Sequence, residues 1–183
     1  MPRLNPIDPA RADARAKPLL DAVQAKLGLT PNMMRTMATS PAVLQGYLEF
    51  NGALAGASVN ARTRELIAIA VAETNGCDYC LSAHTAIGGL MKIPAADLDG
   101  ARDGFHADAK TAAMLRFART VVDTRGKVAD ADVAAIRDAG ATDAEIAEVV
   151  AIAALNVFTN LFNNVARTDI DFPRVSARLA AAA

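Results

Sequence analysis

The sequence predicts an all-α protein, and three observations support this fold class. The 183 residues include 42 alanines but only six Phe, two Tyr and no Trp. Alanine is the strongest helix former and a weak strand former, so this bias favours closely packed helices. Apolar residues recur at helical spacing along most of the chain, and β-branched residues never alternate with polar ones over the length of a strand.

Helix start and stop signals divide the chain into nine segments after a polar stretch, residues 1–17, for which we predict an extended arm. Gly28 ends the first segment, and Thr-Pro and Ser-Pro pairs at 30–31 and 40–41 begin the next two. Residues 142–145 resemble a capping box ahead of the last long helix. The predicted segments are 19–27, 31–39, 42–55, 60–74, 77–90, 94–100, 107–125, 129–139 and 145–167.

Charge and hydropathy exclude several classes of function. The 19 basic residues nearly balance the 20 acidic ones, so the chain lacks the positive charge that nucleic acids or anionic lipids attract. The N-terminus has no apolar signal core, and the longest apolar runs, 66–72 and 149–155, are far shorter than the ~18 residues of a membrane span. We therefore expect one cytoplasmic domain over residues 1–183, with neither nucleic acid nor membrane as a partner. Because cytoplasmic thiols are kept reduced, Cys77 and Cys80 are expected to have a chemical role and not merely to form a structural disulfide.

Glu65, Cys77, Cys80 and His84 form the candidate site. An Asn-Gly break separates two predicted helices, which a short connection makes antiparallel neighbours. Glu65 lies about ten residues before the break and His84 about eight after it, so the two reach about the same level. His84 follows Cys80 by four residues and shares its helix face. Both cysteines lie in the first helical turn, where backbone N–H groups and the helix dipole favour a thiolate.

These positions predict a thiol-based mechanism. Glu65 orients and polarises His84, His84 takes the proton of Cys80, and the thiolate attacks an oxidised substrate. With a peroxide the product is a sulfenic acid, which Cys77 converts to a disulfide that an external thiol must then reduce. Glu73, near the break, is expected to be a surface or capping group.

The residues alone leave other interpretations of the two cysteines open. A zinc site needs four ligands, and only Cys77, Cys80, His84 and at most Glu65 are available. A chemically silent buried pair would seldom need a His one turn away, and a thioredoxin fold would need strands where the flanks are helical. The functional alternatives are a dithiol–disulfide oxidoreductase acting on a protein or lipoyl disulfide, and a non-catalytic helical oligomeric binding module.

An internal similarity occurs at an offset of 83 residues, where 64–70 resembles 147–153. Continued without a gap, this alignment sets Cys80 against Asn163. We interpret it as a duplicated helical hairpin, with copies at 61–90 and 144–173, of which only the first kept redox chemistry. A chance match between two Ala-rich core helices is the alternative.

Glu65, Cys77, Cys80 and His84, in this spacing, resemble the motif of the alkylhydroperoxidase D-like branch of the carboxymuconolactone decarboxylase superfamily. Three longer segments are similar to the same family: PNMMRTMATSPAVLQGYLEF, RELIAIAVAETNGCDYCLSAHTAIG and NNVARTDIDFP. The resemblance covers residues 30–173, the expected family core, and is closest to the peroxidase-related members.

The resemblance implies an alkylhydroperoxidase D-like helical fold, a homo-oligomer (trimer or hexamer), a small peroxide substrate and an external thiol or lipoyl-type reductant. It implies Cys80 as the peroxidatic cysteine, Cys77 as the more exposed resolving cysteine, and Glu65 with His84 as the proton relay. The best-described peroxidases of the family carry a second His where this chain has Tyr79. A lactone decarboxylase is disfavoured because that branch lacks the cysteine pair. We therefore predict a thiol-dependent peroxidase of antioxidant defence, without bound cofactor or metal.

Overall fold

Residues 1–178, the part of the chain described by a computed structural model, form helices joined by turns and contain no strand. Residues 179–183 lie outside the described residues, and the predicted domain end at residue 183 lies there with them. The all-α prediction is confirmed. A 3-10 turn at Pro9–Arg11 precedes α1 (Ala16–Leu27), α2 (Asn32–Met37), α3 (Pro41–Leu54), α4 (Ala61–Thr74), α5 (Asp78–Leu90), α6 (Ala95–Arg102), α7 (Ala109–Asp123), α8 (Asp130–Asp138) and α9 (Asp143–Ala166).

The N-terminal segment is less extended than its composition predicts. It contains the 3-10 turn, and α1 begins at Ala16 instead of residue 19. The reason is Asp13, whose Oδ1 accepts the backbone N–H groups of Arg15 and Ala16 at 2.8 and 2.7 Å. Because this carboxylate satisfies free backbone donors, the helix begins earlier than the apolar pattern predicts.

Helix α4 is the centre of the fold. Its apolar residues lie nearly all round the helix, so it is buried between α5, α6, α7 and α9. Asn60 begins the helix, because its side chain accepts the backbone N–H of Thr63 at 3.0 Å. The chain then turns after Thr74, with Gly76 at φ 60°, a left-handed conformation that glycine adopts at little cost. This turn makes α4 and α5 the antiparallel hairpin that the sequence predicts.

The predicted duplication of this hairpin is wrong. Residues 61–90 form two helices, whereas α9 runs without interruption through residues 143–166. The physical reason lies at the turn, because the offset of 83 sets Phe158 and Thr159 against the Asn-Gly pair. Neither residue favours a positive φ, so the helix continues.

Helix α9 has one buried face and one exposed face. By length and composition it is apolar enough to cross a membrane, and 39% of its most apolar part is buried within the fold. The buried face packs on α4 and α7. The opposite face carries the α9 stripe, a row of exposed apolar side chains: Val150, Phe158, Leu161 and Val165.

After α9 the chain returns across the beginning of α5 as the C-terminal strap, residues 167–178. The Asp78 carboxylate accepts the backbone N–H of Ala177 at 2.9 Å. Glu73 corrects an expectation, since it is only 2% exposed and is no surface group. It accepts hydrogen bonds from the Arg102 guanidinium at 2.7 Å and from the backbone N–H of Arg178 at 2.6 Å, so it joins α4, α6 and the strap.

Candidate functional site

The α4–α5 hairpin brings Glu65 and His84 together. His84 Nδ1 lies 2.8 Å from Glu65 Oε2, and each side chain is about one-fifth exposed. A carboxylate bonded to Nδ1 fixes the ring orientation and leaves Nε2 free to exchange a proton. Burial alone would lower the pKa of His84, but the Glu65 carboxylate outweighs it and raises that pKa above its usual value.

Cys77 and Cys80 lie at the beginning of α5, and both are free thiols. Cys77 is the N-cap residue, and its Sγ accepts the backbone N–H of Cys80 at 3.4 Å. The exposed fractions are 0% for Cys77 and 2% for Cys80. The expectation that Cys77 is the more exposed cysteine is therefore wrong, because the strap and the α4–α5 turn cover the start of the helix.

The two cysteines have opposite acidities. Burial opposes ionisation of Cys80, but the Cys77 thiol, the charge on His84 and the amides of Asn163 and Asn160 together lower its pKa to about 6. For Cys77, the hydrogen bond to Cys80 and burial hold the pKa well above its usual range. At neutral pH the pair is therefore a Cys80 thiolate hydrogen-bonded by a neutral Cys77 thiol.

Helix α9 supplies site residues that sequence reasoning missed. Asn163 Nδ2 donates to Cys80 Sγ at 3.3 Å, and Thr159 Oγ1 lies 4.0 Å from the same sulfur. The Asn156 side chain helps to raise the pKa of His84. The one signal in the sequence was the offset of 83 residues that aligns Cys80 with Asn163, although the hairpin repeat inferred from it is wrong.

Tyr79 has a structural role. In the family that the sequence resembles, the best-described peroxidases carry a second His at this position. Its hydroxyl accepts the backbone N–H of Met33 at 3.1 Å, and its ring packs edge-on against Phe172 at 5.9 Å between centroids. Burial raises its pKa above the usual range, so the phenol stays neutral. Tyr79 therefore joins α5 to α2 and to the strap.

A largely apolar cavity of about 460 Å³ opens onto the reactive sulfur. Cys80, His84 and Glu65 line it together with Tyr47, whose pKa burial and the charges of Cys80 and Glu65 raise. Most of the remaining wall is aliphatic, including Leu29, Met34, Leu54, Ile87, Ile152 and Leu155. The site can therefore hold an apolar molecule beside an anionic sulfur and a protonated imidazole.

A second cavity, of about 830 Å³ and more polar, lies on the strap side of Tyr79 and Phe172. These two rings line both cavities, so they form the wall between them. Cys80 faces the apolar cavity only. Within residues 1–178, no group of three or more His, Cys, Asp or Glu side chains is arranged to hold a metal ion.

The fold of this chain is similar to that of proteins with solved structures. An uncharacterized peroxidase-related protein from Ralstonia eutropha JMP134, with an alkylhydroperoxidase AhpD core, is 28% identical, with a TM-score of 0.83 over 93% of this chain and 92% of that one. A variant of the debrominase Bmp8, solved in complex with 2,3,4-tribromopyrrole, is 18% identical, with a TM-score of 0.79 over 92% of this chain and 91% of that one.

An uncharacterized protein from Haemophilus influenzae is 51% identical over 45 residues, which are 24% of this chain. The match spans 40% of the length of that curated relative.

Residues 41–120 match the family model of the carboxymuconolactone decarboxylase family. This span runs from α3 into α7 and includes Glu65, both cysteines and His84. The structural likeness to the Ralstonia protein extends the relation over nearly the whole chain. These two findings support the carboxymuconolactone decarboxylase superfamily, and the chain has the fold of the alkylhydroperoxidase D-like core seen in its peroxidase-related neighbour.

Proposed function

We propose that this protein is a thiol-dependent peroxidase that reduces organic hydroperoxides in antioxidant defence. The observation that carries the proposal is the position of Cys80, a low-pKa sulfur in the wall of an apolar cavity, beside a His84 that Glu65 holds. A low pKa matters because the thiolate is the nucleophile. The family and the Ralstonia protein support an enzyme of this general class.

In the first step the Cys80 thiolate attacks the terminal oxygen of the hydroperoxide. The S–O bond forms as the O–O bond breaks, so the sulfur is oxidised by two electrons to a sulfenic acid and the peroxide is reduced. The leaving alkoxide takes a proton from the His84 imidazolium and departs as an alcohol. Because Glu65 raises the pKa of His84, a larger fraction of the imidazole carries this proton at any given pH.

In the second step Cys77 resolves the sulfenic acid. Its sulfur attacks Cys80 Sγ, the S–S bond forms, the S–O bond breaks, and hydroxide leaves with the Cys77 proton as water. The contact of Cys77 Sγ with the backbone N–H of Cys80, at 3.4 Å, supports this role because it holds the Cys77 sulfur against Cys80. An external dithiol of the lipoyl type then reduces the disulfide and is itself oxidised.

The apolar cavity favours an organic hydroperoxide over hydrogen peroxide. A cavity of about 460 Å³ is within the size range of sites for drug-sized molecules, so hydrogen peroxide would fill little of it. Apolar contact with a bulky substituent would bind the substrate and place its peroxide group at Cys80. The order of rates expected is cumene hydroperoxide, then tert-butyl hydroperoxide, then hydrogen peroxide.

The test is a single-turnover reaction of the reduced protein with each peroxide, followed by thiol counting and intact mass. We expect one disulfide per chain from the parent, none from Cys80→Ser, and a sulfenic acid without disulfide from Cys77→Ser. An unchanged peroxide rate in Cys80→Ser would overturn the proposal. Faster oxidation by lipoamide disulfide than by every peroxide would favour the dithiol–disulfide oxidoreductase. Since Bmp8 was solved with 2,3,4-tribromopyrrole, this compound is a further substrate to assay.

We also propose that the chain associates with copies of itself as a trimer or hexamer. The α9 stripe supports it, because Leu161 and Val165 are 57% and 61% exposed beside other apolar side chains. The pair of free thiols supports a reducing, cytoplasmic location. Light scattering on the parent and on Leu161→Asp tests the assembly, and equal masses for the two would contradict a role for the stripe.

A further inference from the structure

We propose that Asn160 and Asn163 form an amide site that stabilises the anionic sulfur of Cys80 and binds the oxygen atom that this sulfur acquires from a peroxide. The first half of the proposal concerns the reduced protein alone. The second half rests on the proposed function. Both residues belong to α9, far from the cysteines in sequence, and the structure brings them to the start of α5.

Asn163 is the donor to the sulfur. Its side chain is 2% exposed, and Nδ2 lies 3.3 Å from Cys80 Sγ. An amide N–H donates a hydrogen bond and cannot accept one from the S–H group of a neutral thiol. It donates more strongly to a thiolate, so the contact stabilises the ionised form of Cys80. The same amide has an oxygen, Oδ1, that is buried and has no hydrogen-bond partner among residues 1–178.

Asn160 is oriented by the α4–α5 turn. Its Oδ1 accepts a hydrogen bond from Asn75 Nδ2 at 2.9 Å, which fixes the amide and directs its Nδ2 the other way. Asn160 is fully buried, and this Nδ2 makes no contact of good hydrogen-bond geometry within the described chain, although the amide already helps to lower the pKa of Cys80. Buried polar atoms are rarely left unpaired in native proteins, so an unpaired donor beside a reactive centre indicates a ligand.

The oxygen of an oxidised Cys80 has the chemistry that these two atoms need. A sulfenic acid has a donor O–H and acceptor lone pairs, and a sulfenate has acceptor lone pairs. Asn160 Nδ2 would donate to that oxygen, and Asn163 Oδ1 would accept its proton when present. The site would therefore hold the sulfenic acid in place until Cys77 attacks the sulfur from the other side of the S–O bond.

The first experiment measures Cys80 acidity by the pH dependence of alkylation in the Cys77→Ser background, without peroxide. Asn163→Leu removes the donor with similar volume, and Asn163→Asp keeps the shape but replaces the donor with a carboxylate. We expect both to raise the pKa of Cys80 by about one unit. Ala154→Ser, a change at an exposed position of the same helix, is the control and should leave it unchanged.

The second experiment measures the lifetime of the Cys80 sulfenic acid in the same background, by dimedone trapping after one equivalent of cumene hydroperoxide. We expect Asn160→Leu to shorten this lifetime several-fold, and Ala154→Ser to leave it unchanged. A Cys80 pKa that stays the same in both Asn163 variants would overturn the amide site, whatever the peroxidase assay gives. A sulfenic acid equally long-lived in Asn160→Leu would overturn the oxygen-binding half.

Discussion

His84 Nδ1 and Glu65 Oε2 lie 2.8 Å apart, across a hairpin of two helices that a three-residue connection joins. The contact is the structural link between the acidic residue in the central helix and the helix that carries the cysteines. It raises the pKa of His84, and the charge of the protonated imidazole helps to lower the pKa of Cys80. The site is thus an ion-pair relay built from two elements, with α9 covering one side.

The low pKa of Cys80 predicts a specific pH dependence of alkylation. Because its pKa is about 6, the thiolate fraction and the alkylation rate should be nearly constant above neutral pH and should fall as the pH drops through about 6. Cys77, with its pKa above the usual range, should react slowly throughout. Stopped-flow alkylation with mass mapping of the modified cysteine measures both. A single midpoint near the ordinary thiol value of about 8.5 would contradict the assignment.

Glu65→Gln should weaken the relay without changing its shape. Burial lowers the pKa of His84 once the carboxylate charge is lost, so less imidazolium remains to stabilise the thiolate. We expect the pKa of Cys80 to rise by about one unit and the peroxide rate near pH 6 to fall several-fold. Glu49→Gln, an exposed change on α3, is the control. Equal alkylation profiles for the two variants would show that Glu65 does not act through charge.

Tyr79→Phe should affect stability more than chemistry. The hydroxyl accepts the backbone N–H of Met33, and its loss would leave that buried donor unpaired at a cost of about 1–3 kcal/mol. The pKa of Cys80 should not change. Urea unfolding and the alkylation profile measure the two effects. A peroxide rate that falls strongly while the free energy of unfolding is unchanged would instead place Tyr79 in the proton relay.

Glu73→Gln should destabilise the fold without touching the site. The carboxylate is buried, and it accepts from the Arg102 guanidinium and from the backbone N–H of Arg178. Loss of the charge should cost about 2 kcal/mol and lower Tm by roughly 4–8 °C. Calorimetry tests this, again with Glu49→Gln as the control. A Tm equal to that of the parent would mean that the Glu73 contacts add no net stability.

The periodicity of apolar residues and the spacing of the turn signal were sufficient to predict the α4–α5 hairpin. The continuous apolar run of α4 predicted its central position, and the Asn-Gly break predicted the turn that brings Glu65 level with His84. The start of α1 was missed because Asp13 caps the helix through a polar contact, which apolar periodicity does not show. The hairpin repeat was wrong because similar helical composition says nothing about whether the chain turns after it.

The sequence by itself determined the helical frame and the local chemistry, because both depend on contacts between residues close along the chain or across one short turn. The sequence therefore predicted that Cys77, Cys80 and His84 lie near the start of one helix and that Glu65 lies on the preceding helix. Only the tertiary structure decided the burial of Cys77, the structural position of Tyr79 and the contact of Asn163 with Cys80. These depend on how α9 and the strap pack across α5, between residues separated by up to 99 positions. Packing of distant segments leaves no local pattern in the sequence.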